Sequence, residues 1–324
     1  MENKSPSCII AIALFALASA ACQAQTYPAK PIRLIMGLGA GSSVDVVTRA
    51  AAQELAPRLG QPIVVENRPG GSFIIGADAC AKAAPDGYTT CVVNIDSMSL
   101  NPNVFNKLPY DPDKDFTPIG NLFNMISGVV VSGSLPVASI KELQSLAGSR
   151  PGAFNFATVG PGTNPDIFRQ WLGDRWKSSI VGIPYKGGNF MVNALMADEC
   201  QLTWVGLGGA IGQVKANKVK VMAVGSVKRS PLMPDVPTLK EVGLEEFPGL
   251  VWWGLAAPAG IPNDVTRKLN AEVNRLLKDA KFNEYLASQM FEPLAGTPEE
   301  FAVFLKSDRE RVGQLVRKFN VPRQ

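Results

Sequence analysis

The chain contains no histidine. That absence removes the usual general base near neutral pH, the base of a Ser-His or Cys-His pair, and the commonest metal ligand. Other chemical devices are missing too. No G-x-S-x-G nucleophile elbow occurs, no G-K-[ST] closes a phosphate loop, and none of the five cysteines stands in C-x-x-C spacing. Carboxylates remain, among them Asp45, Asp86, Asp96, Asp111, Asp113, Asp115 and Asp166, but they have no nucleophile to serve and no catalytic residue is assigned. The cluster "YDPDKDF" lacks the pattern of a calcium loop and reads as a solvated turn, so neither a metal site nor a cofactor is expected. There is also no basic run interleaved with aromatics, which argues against nucleic acid as a partner. The net charge of +4, from 32 basic and 28 acidic residues, favours small anions only weakly.

What is present begins with the N-terminus. Lys4 precedes an apolar run, Cys8 to Ala21, that is shorter than the roughly 20 residues needed to cross a bilayer and suits a secretory signal peptide. Residues 1–24 are therefore expected to be removed on export to the periplasm, by cleavage after Ala20 or after Ala24. A rival reading takes "SAAC" as a lipobox that anchors Cys22, although Ser19 stands where leucine is usual. Cleavage leaves Cys80, Cys91 and Cys200, an odd number in an oxidising compartment, consistent with one disulfide and one buried thiol. Cys80 and Cys91 flank the turn "APDGY" and are the candidate pair; the alternative is three small core residues.

The 324 residues, 46% apolar and 19% charged, suffice for two domains of ordinary size or one large one. From Pro31 onward β-rich apolar runs alternate with helical patterns, which predicts α/β layers with largely parallel sheets. One device occurs twice. "IMGLGAGSSVD" (35–45) and "ATVGPGTNPD" (157–166) each end a strand, pass through glycines and hydroxyl residues, and open a helix. A nucleotide reading of the first fails, because Gly37, Gly39 and Ser42 do not complete G-x-G-x-x-G. Two helix N-termini facing each other across a cleft would hold a small carboxylate with neutral donors; the plainer alternative is two capped turns.

Several stretches together resemble one family. "YPAKPIRLIMGLGAGSSVDVVTR", "LGQPIVVENRPGG", "APDGYT", "NKLPYDPDKDFTPIG", "IPYKGG", "RSPLMPDVPTLKEVG", "WWGLAAPAGIP" and "TPEEF" are similar to the Bug family of extracytoplasmic solute-binding proteins, which serve tripartite tricarboxylate transporters. The resemblance implies a two-domain α/β fold of the periplasmic-binding-protein type (type II, Venus flytrap), with residues 25–125 and 248–324 in one domain and 126–247 in the other. It implies a monomer that binds a small carboxylate between the domains and hands it to a membrane permease. A ligand sensor on the same scaffold, or less readily a carboxylate-processing enzyme, is the alternative.

Carried onto this chain, the first family loop falls on Leu38, Gly39, Ala40, Ser42 and Ser43 with Asp45, where the usual proline and phenylalanine are absent. The second falls on Thr158, Val159, Gly160, Gly162 and Thr163, with Asp166 in place of a frequent histidine. Tyr185 of "IPYKGG", Ser97 after "VNID", and Trp204 complete the expected ligand site. Trp204 reads equally as core, and of Trp252 and Trp253, which alternate along a strand, at most one can face the cleft. Many members carry an acidic residue where this chain has Val205, Gly206 and Leu207. A buried ammonium without an anionic partner is costly, so the expected ligand has no ammonium group and turns an apolar or aromatic body toward Leu38 and Trp204.

Overall fold

A computed structural model describes residues 27–245, 247, 250–319 and 321–324; the expected signal segment and Cys22 lie outside them. Strand β1 (Ile32–Met36) runs between β2 (Ile63–Asn67) and β3 (Thr89–Asn94), parallel to both. Helix α1 (Ser43–Leu59) joins β1 to β2, and α2 (Ile74–Ala81) leads toward β3. The ends of α1 follow from its sequence. The Ser42 hydroxyl accepts from the Asp45 N–H at the start, and Gly60 closes the helix with a φ of 75°, a region that residues with a Cβ avoid. Val44, Val47, Leu55 and Leu59 are buried along its inner face.

After β3 a π turn (Asp96–Leu100) and the short α3 (Asn101–Val104) lead to β4 (Phe116–Ser132). The sequence pattern places a strand only over "ISGVVVSG"; the structure extends it back ten residues. Asn121 and Asn124 interrupt the apolar pattern there, and the register with its neighbour slips twice, between Pro118 and Gly120 and between Asn121 and Phe123. These irregularities hide the first half of the strand.

The whole molecule hangs on β4. Its first half pairs with β9 (Leu250–Pro258) and β10 (Phe291–Pro293), its second half with β7 (Leu202–Gly206) and β8 (Val219–Val224). The resulting order is β2-β1-β3-β9-β4-β7-β5-β6, where β5 (Phe154–Thr158) and β6 (Ile180–Pro184) run parallel and close the far end. Two α/β lobes thus share one strand, and the change of partners falls at Ile126 and Ser127.

The second lobe carries α4 (Ile140–Ser149), α5 (Asn164–Trp176), α6 (Gly188–Met196) and α7 (Ile211–Lys215). The first is completed by α8 (Asn263–Leu277), α9 (Ala280–Ser288) and α10 (Pro298–Lys318). At the start of α10 Thr297 and Glu300 form the capping box that their spacing predicts. Cys80 and Cys91 form a disulfide with 6.1 Å between Cα atoms, and Cys200 is a free, buried thiol.

Candidate functional site

The lobes meet through named contacts. The Gly39 N–H donates to the Lys186 carbonyl at 2.9 Å, Asn189 Nδ2 to the Ala40 carbonyl at 3.3 Å, and Ser72 Oγ to the Pro161 carbonyl at 2.8 Å. Gly160 is required at this junction. Its φ is 125°, and a Cβ there would lie 2.6 Å from Ser72 Oγ.

Between the lobes lies a small cavity of about 50 Å³. Its floor is the strand junction, with Met125 and Ser127 from β4 and Val251 and Trp253 from β9. Leu38, Ser42, Ser43, Val44, Phe73 and Asp96 come from the first lobe, and Val159, Asn164, Met191 and Trp204 from the second. The wall is mainly apolar, and among the described residues no Lys or Arg lines it. A site of this kind holds a small organic molecule by shape and orients it with a few polar atoms.

Those polar atoms can be counted off. At the start of α1 the Asp45 N–H is taken by Ser42 Oγ and the Val46 N–H by the Ser42 carbonyl. The Ser43 and Val44 N–H groups have no partner among the described residues, and both residues line the cavity. They carry the positive end of a 17-residue helix dipole. Four further atoms in lining residues are buried without a partner: Ser127 Oγ, Trp204 Nε1, Trp253 Nε1 and Asn164 Oδ1. Unpaired buried polar atoms are costly, and three that can donate together with the acceptor Asn164 Oδ1 are available to a molecule in the cavity.

The second helix N-terminus departs from expectation. The Gly160 N–H goes to Thr158 Oγ1 at 3.2 Å and the Gly162 N–H to Asp166 Oδ2 at 2.9 Å. The Asn164 N–H goes across the lobes to Asp96 Oδ1 at 2.5 Å, and Pro165 has no N–H to give. The N–H of α5 that faces the cavity through a lining residue, that of Asn164, is thus taken by a side chain. Asp96 is 3% exposed, and its other oxygen accepts from Asn94 Nδ2 at 2.8 Å. Desolvation pushes its carboxyl up to about 7, against the lowering effect of the bonds from Asn164 and Asn94.

Of the expected ligand residues, Leu38, Ser42, Ser43, Val159 and Trp204 line the cavity. The others do not, each for a visible reason. Gly39 and Ala40 are engaged in the contacts between lobes. Asp45 lies behind the loop, where it accepts from Arg49 and Asn67 and, through Oδ2, from the Gly41 N–H. Burial alone would raise its carboxyl, but the bonds from Arg49, Gly41 and Asn67 hold it below the usual range. Thr158, Gly160, Gly162 and Thr163 are bonded within their own loop, Thr163 Oγ1 donating to the Gly160 carbonyl at 2.6 Å. Ser97 Oγ is turned back onto Asn94 at 2.9 Å. Tyr185 points to Glu199, its hydroxyl 3.2 Å from Oε2.

Two lining contributors were missed by sequence reasoning, Asp96 and the β4 junction, and the sequence leaves a third, Trp253, open between it and Trp252. Asp96 overturns the premise that the cavity has no carboxylate, since the neutral stretch at Val205 and Gly206 is faced by an acid from the other lobe. Its signal was the polar "VNID" at the carboxyl end of a strand. Trp253 is the member of its pair that faces the cavity, while Trp252 Nε1 donates to Asp308 at 2.8 Å. Trp204 serves both of its readings, stacking on Phe168 at 4.7 Å while it walls the cavity.

Among the described residues no group of His, Cys, Asp or Glu is placed to hold a metal ion, and no helix is long and apolar enough to cross a membrane. The chain is 30% identical to a UPF0065 protein encoded in the tcbD-tcbE intergenic region of Pseudomonas sp. strain P51, over 96% of this chain and 93% of that one. Its fold matches the structure of the periplasmic binding protein BugD with a TM-score of 0.88 and 30% identity, over 92% of this chain and all of the other. An R. palustris protein solved with adipate also gives 0.88, at 26% identity over 92% of this chain and all of that one. Residues 47–321 match the description "Tripartite tricarboxylate transporter family receptor", and with the α/β fold built on one shared strand, the chain belongs to this family.

Proposed function

We propose that this protein is a periplasmic solute-binding protein that captures a small carboxylate between its lobes and delivers it to the membrane permease of a tripartite tricarboxylate transporter. The observation that carries the reading is the start of α1, where Ser43 and Val44, whose N–H groups have no partner among the described residues, line a cavity with no described Lys or Arg in its wall. Backbone donors at a helix N-terminus suit a carboxylate. Adipate in the R. palustris relative supports the same class of ligand.

In this reading residues 1–24 are the export signal, residues 25–125 with 248–324 form one domain, and 126–247 form the other. The mature protein acts as a monomer, closes about the β4 junction and turns nothing over. Leu38, Trp204 and Trp253 would face an apolar or aromatic body. In this reading the ligand has no ammonium group, because the wall at Val205 and Gly206 is neutral and Asp96, the one acid among the described lining residues, is turned to the N–H groups of Asn164 and Asn94.

Calorimetric titration with benzoate, hexanoate, adipate, malate, aspartate and glutamate tests both parts. Binding of at least one carboxylate without an amino group is expected. No heat from any of the six would overturn the carboxylate reading. Tight binding confined to aspartate and glutamate would overturn the exclusion of ammonium.

A further inference from the structure

We infer that Asp96 fills, from within the chain, the position a second ligand carboxylate would take at the start of α5, so that the cavity selects monocarboxylates with an apolar body over dicarboxylates. The inference rests on the carboxylate reading above and narrows it.

Anion positions in the cavity are few. The start of α1 is open, since the N–H groups of Ser43 and Val44 are unpaired. At the start of α5 the cavity is lined by Asn164, whose N–H goes to Asp96 Oδ1 at 2.5 Å, and by Pro165, which has no N–H to give. Asp96 is not a surface cap that happens to reach over. It stands on the opposite lobe, 68 residues away in sequence, is 3% exposed, and is held on its second oxygen by Asn94.

A dicarboxylate with one end on α1 would bring its other end into a chamber that contains this acid and no cation. The buried Asp96 carboxyl keeps this position whether or not it is ionised, and above about pH 7, where it is charged, it also repels a second carboxylate that no described lysine or arginine in the wall can neutralise. The donors left over are the indole N–H groups of Trp204 and Trp253 and the Ser127 hydroxyl, each buried and unpaired. All three are neutral. They suit an uncharged acceptor such as a ring hydroxyl, ether or carbonyl on the ligand's far end, within walls of Leu38, Met125 and Val251.

Matched pairs that differ by one carboxylate test this directly: benzoate against terephthalate, and hexanoate against adipate, each titrated into the purified protein. The wild type is expected to bind the monocarboxylate of at least one pair about tenfold or more tightly than its partner. In Asp96→Asn, which keeps an acceptor for Asn164 without the charge, and in Asp96→Ser, that ratio is expected to fall at least tenfold through a gain in dicarboxylate affinity. Equal affinity within both pairs in the wild type would overturn the inference whether or not the variants fold. An unchanged ratio in folded variants would overturn it as well. Should none of the four acids bind while malate does, the carboxylate reading stands and the monocarboxylate selection falls. Silence from all of them removes both.

Discussion

Asp96 is the residue on which this site turns, and its acid-base behaviour can be followed without any ligand. Burial pushes its carboxyl up to about 7, whereas an unfolded chain leaves an aspartate near 4. Between those two values the folded state keeps a proton that the unfolded state has lost, so stability falls as pH rises through this window and levels off above it. Asp45 has the opposite sign, because its carboxyl is held down by Arg49, Gly41 and Asn67 against the cost of burial. It contributes stability above the ordinary aspartate range that is lost only as pH falls below it. The two windows adjoin near pH 4. Thermal unfolding of the wild type and Asp96→Asn from pH 4 to 8 separates them: the variant's advantage is expected to grow up to about pH 7 and then stay constant. A constant difference from pH 4 upward would mean that the acid is already charged in the folded state. Trp253 offers a second test at this scale. Its Nε1 is buried without a partner, so Trp253→Phe removes that donor, while the smaller ring leaves a void beside Phe73. Affinity for the bound carboxylate is expected to fall by at least about 3- to 10-fold, the worth of one neutral hydrogen bond, with a lowered melting temperature from the void. Unchanged affinity would mean that the indole N–H meets water instead of ligand.

At the scale of elements, the start of α1 carries the functional reading, and a proline can test it. Position 43 is the first residue of the helix, where proline is well tolerated, and Ser42 before it has the extended ψ of 155° that a following proline requires. Ser43→Pro therefore keeps the helix and deletes one of the two open donors. A loss of about 10- to 100-fold in carboxylate affinity is expected, the range for a hydrogen bond to a charged group, with unchanged helical circular dichroism. This loop was legible in sequence because its determinants are local: a serine cap, an acid three residues on, and glycines before them. The capping box of α10 was legible for the same reason. The start of α5 was not. Its cap comes from Asp96 on another lobe, and no local pattern announces a partner 68 residues away. Tyr185 fails in the same way, since nothing near it in sequence shows that its ring turns toward Glu199. Alternation of strands and helices revealed the fold class, while the irregular pairing of β4 hid the strand that joins the lobes.

For the whole molecule, the proposed function requires that the lobes approach, and the approach depends on what little stands between them. Gly160 and Ser72 meet so closely that a methyl group at 160 would sit 2.6 Å from Ser72 Oγ, in a backbone conformation with φ of 125° that alanine resists. Nearby, Ser72 donates to Pro161, and Asp96 receives the Asn164 N–H. A solute-binding protein of this design gains its closing energy from contacts made only when the lobes touch, so an obstacle at the rim lowers affinity without touching the ligand. Closure predicts that ligand lowers the wild-type radius of gyration in small-angle scattering; Gly160→Ala is expected to weaken carboxylate binding and to abolish that decrease, while each lobe keeps its own core. The second variant Ser72→Ala,Gly160→Ala removes the hydroxyl that the new methyl group meets. Partial recovery of affinity there would show that the obstruction is steric and lies between the lobes. A double variant as weak as Gly160→Ala would place the damage in the loop's own backbone, and closure would then not depend on this contact.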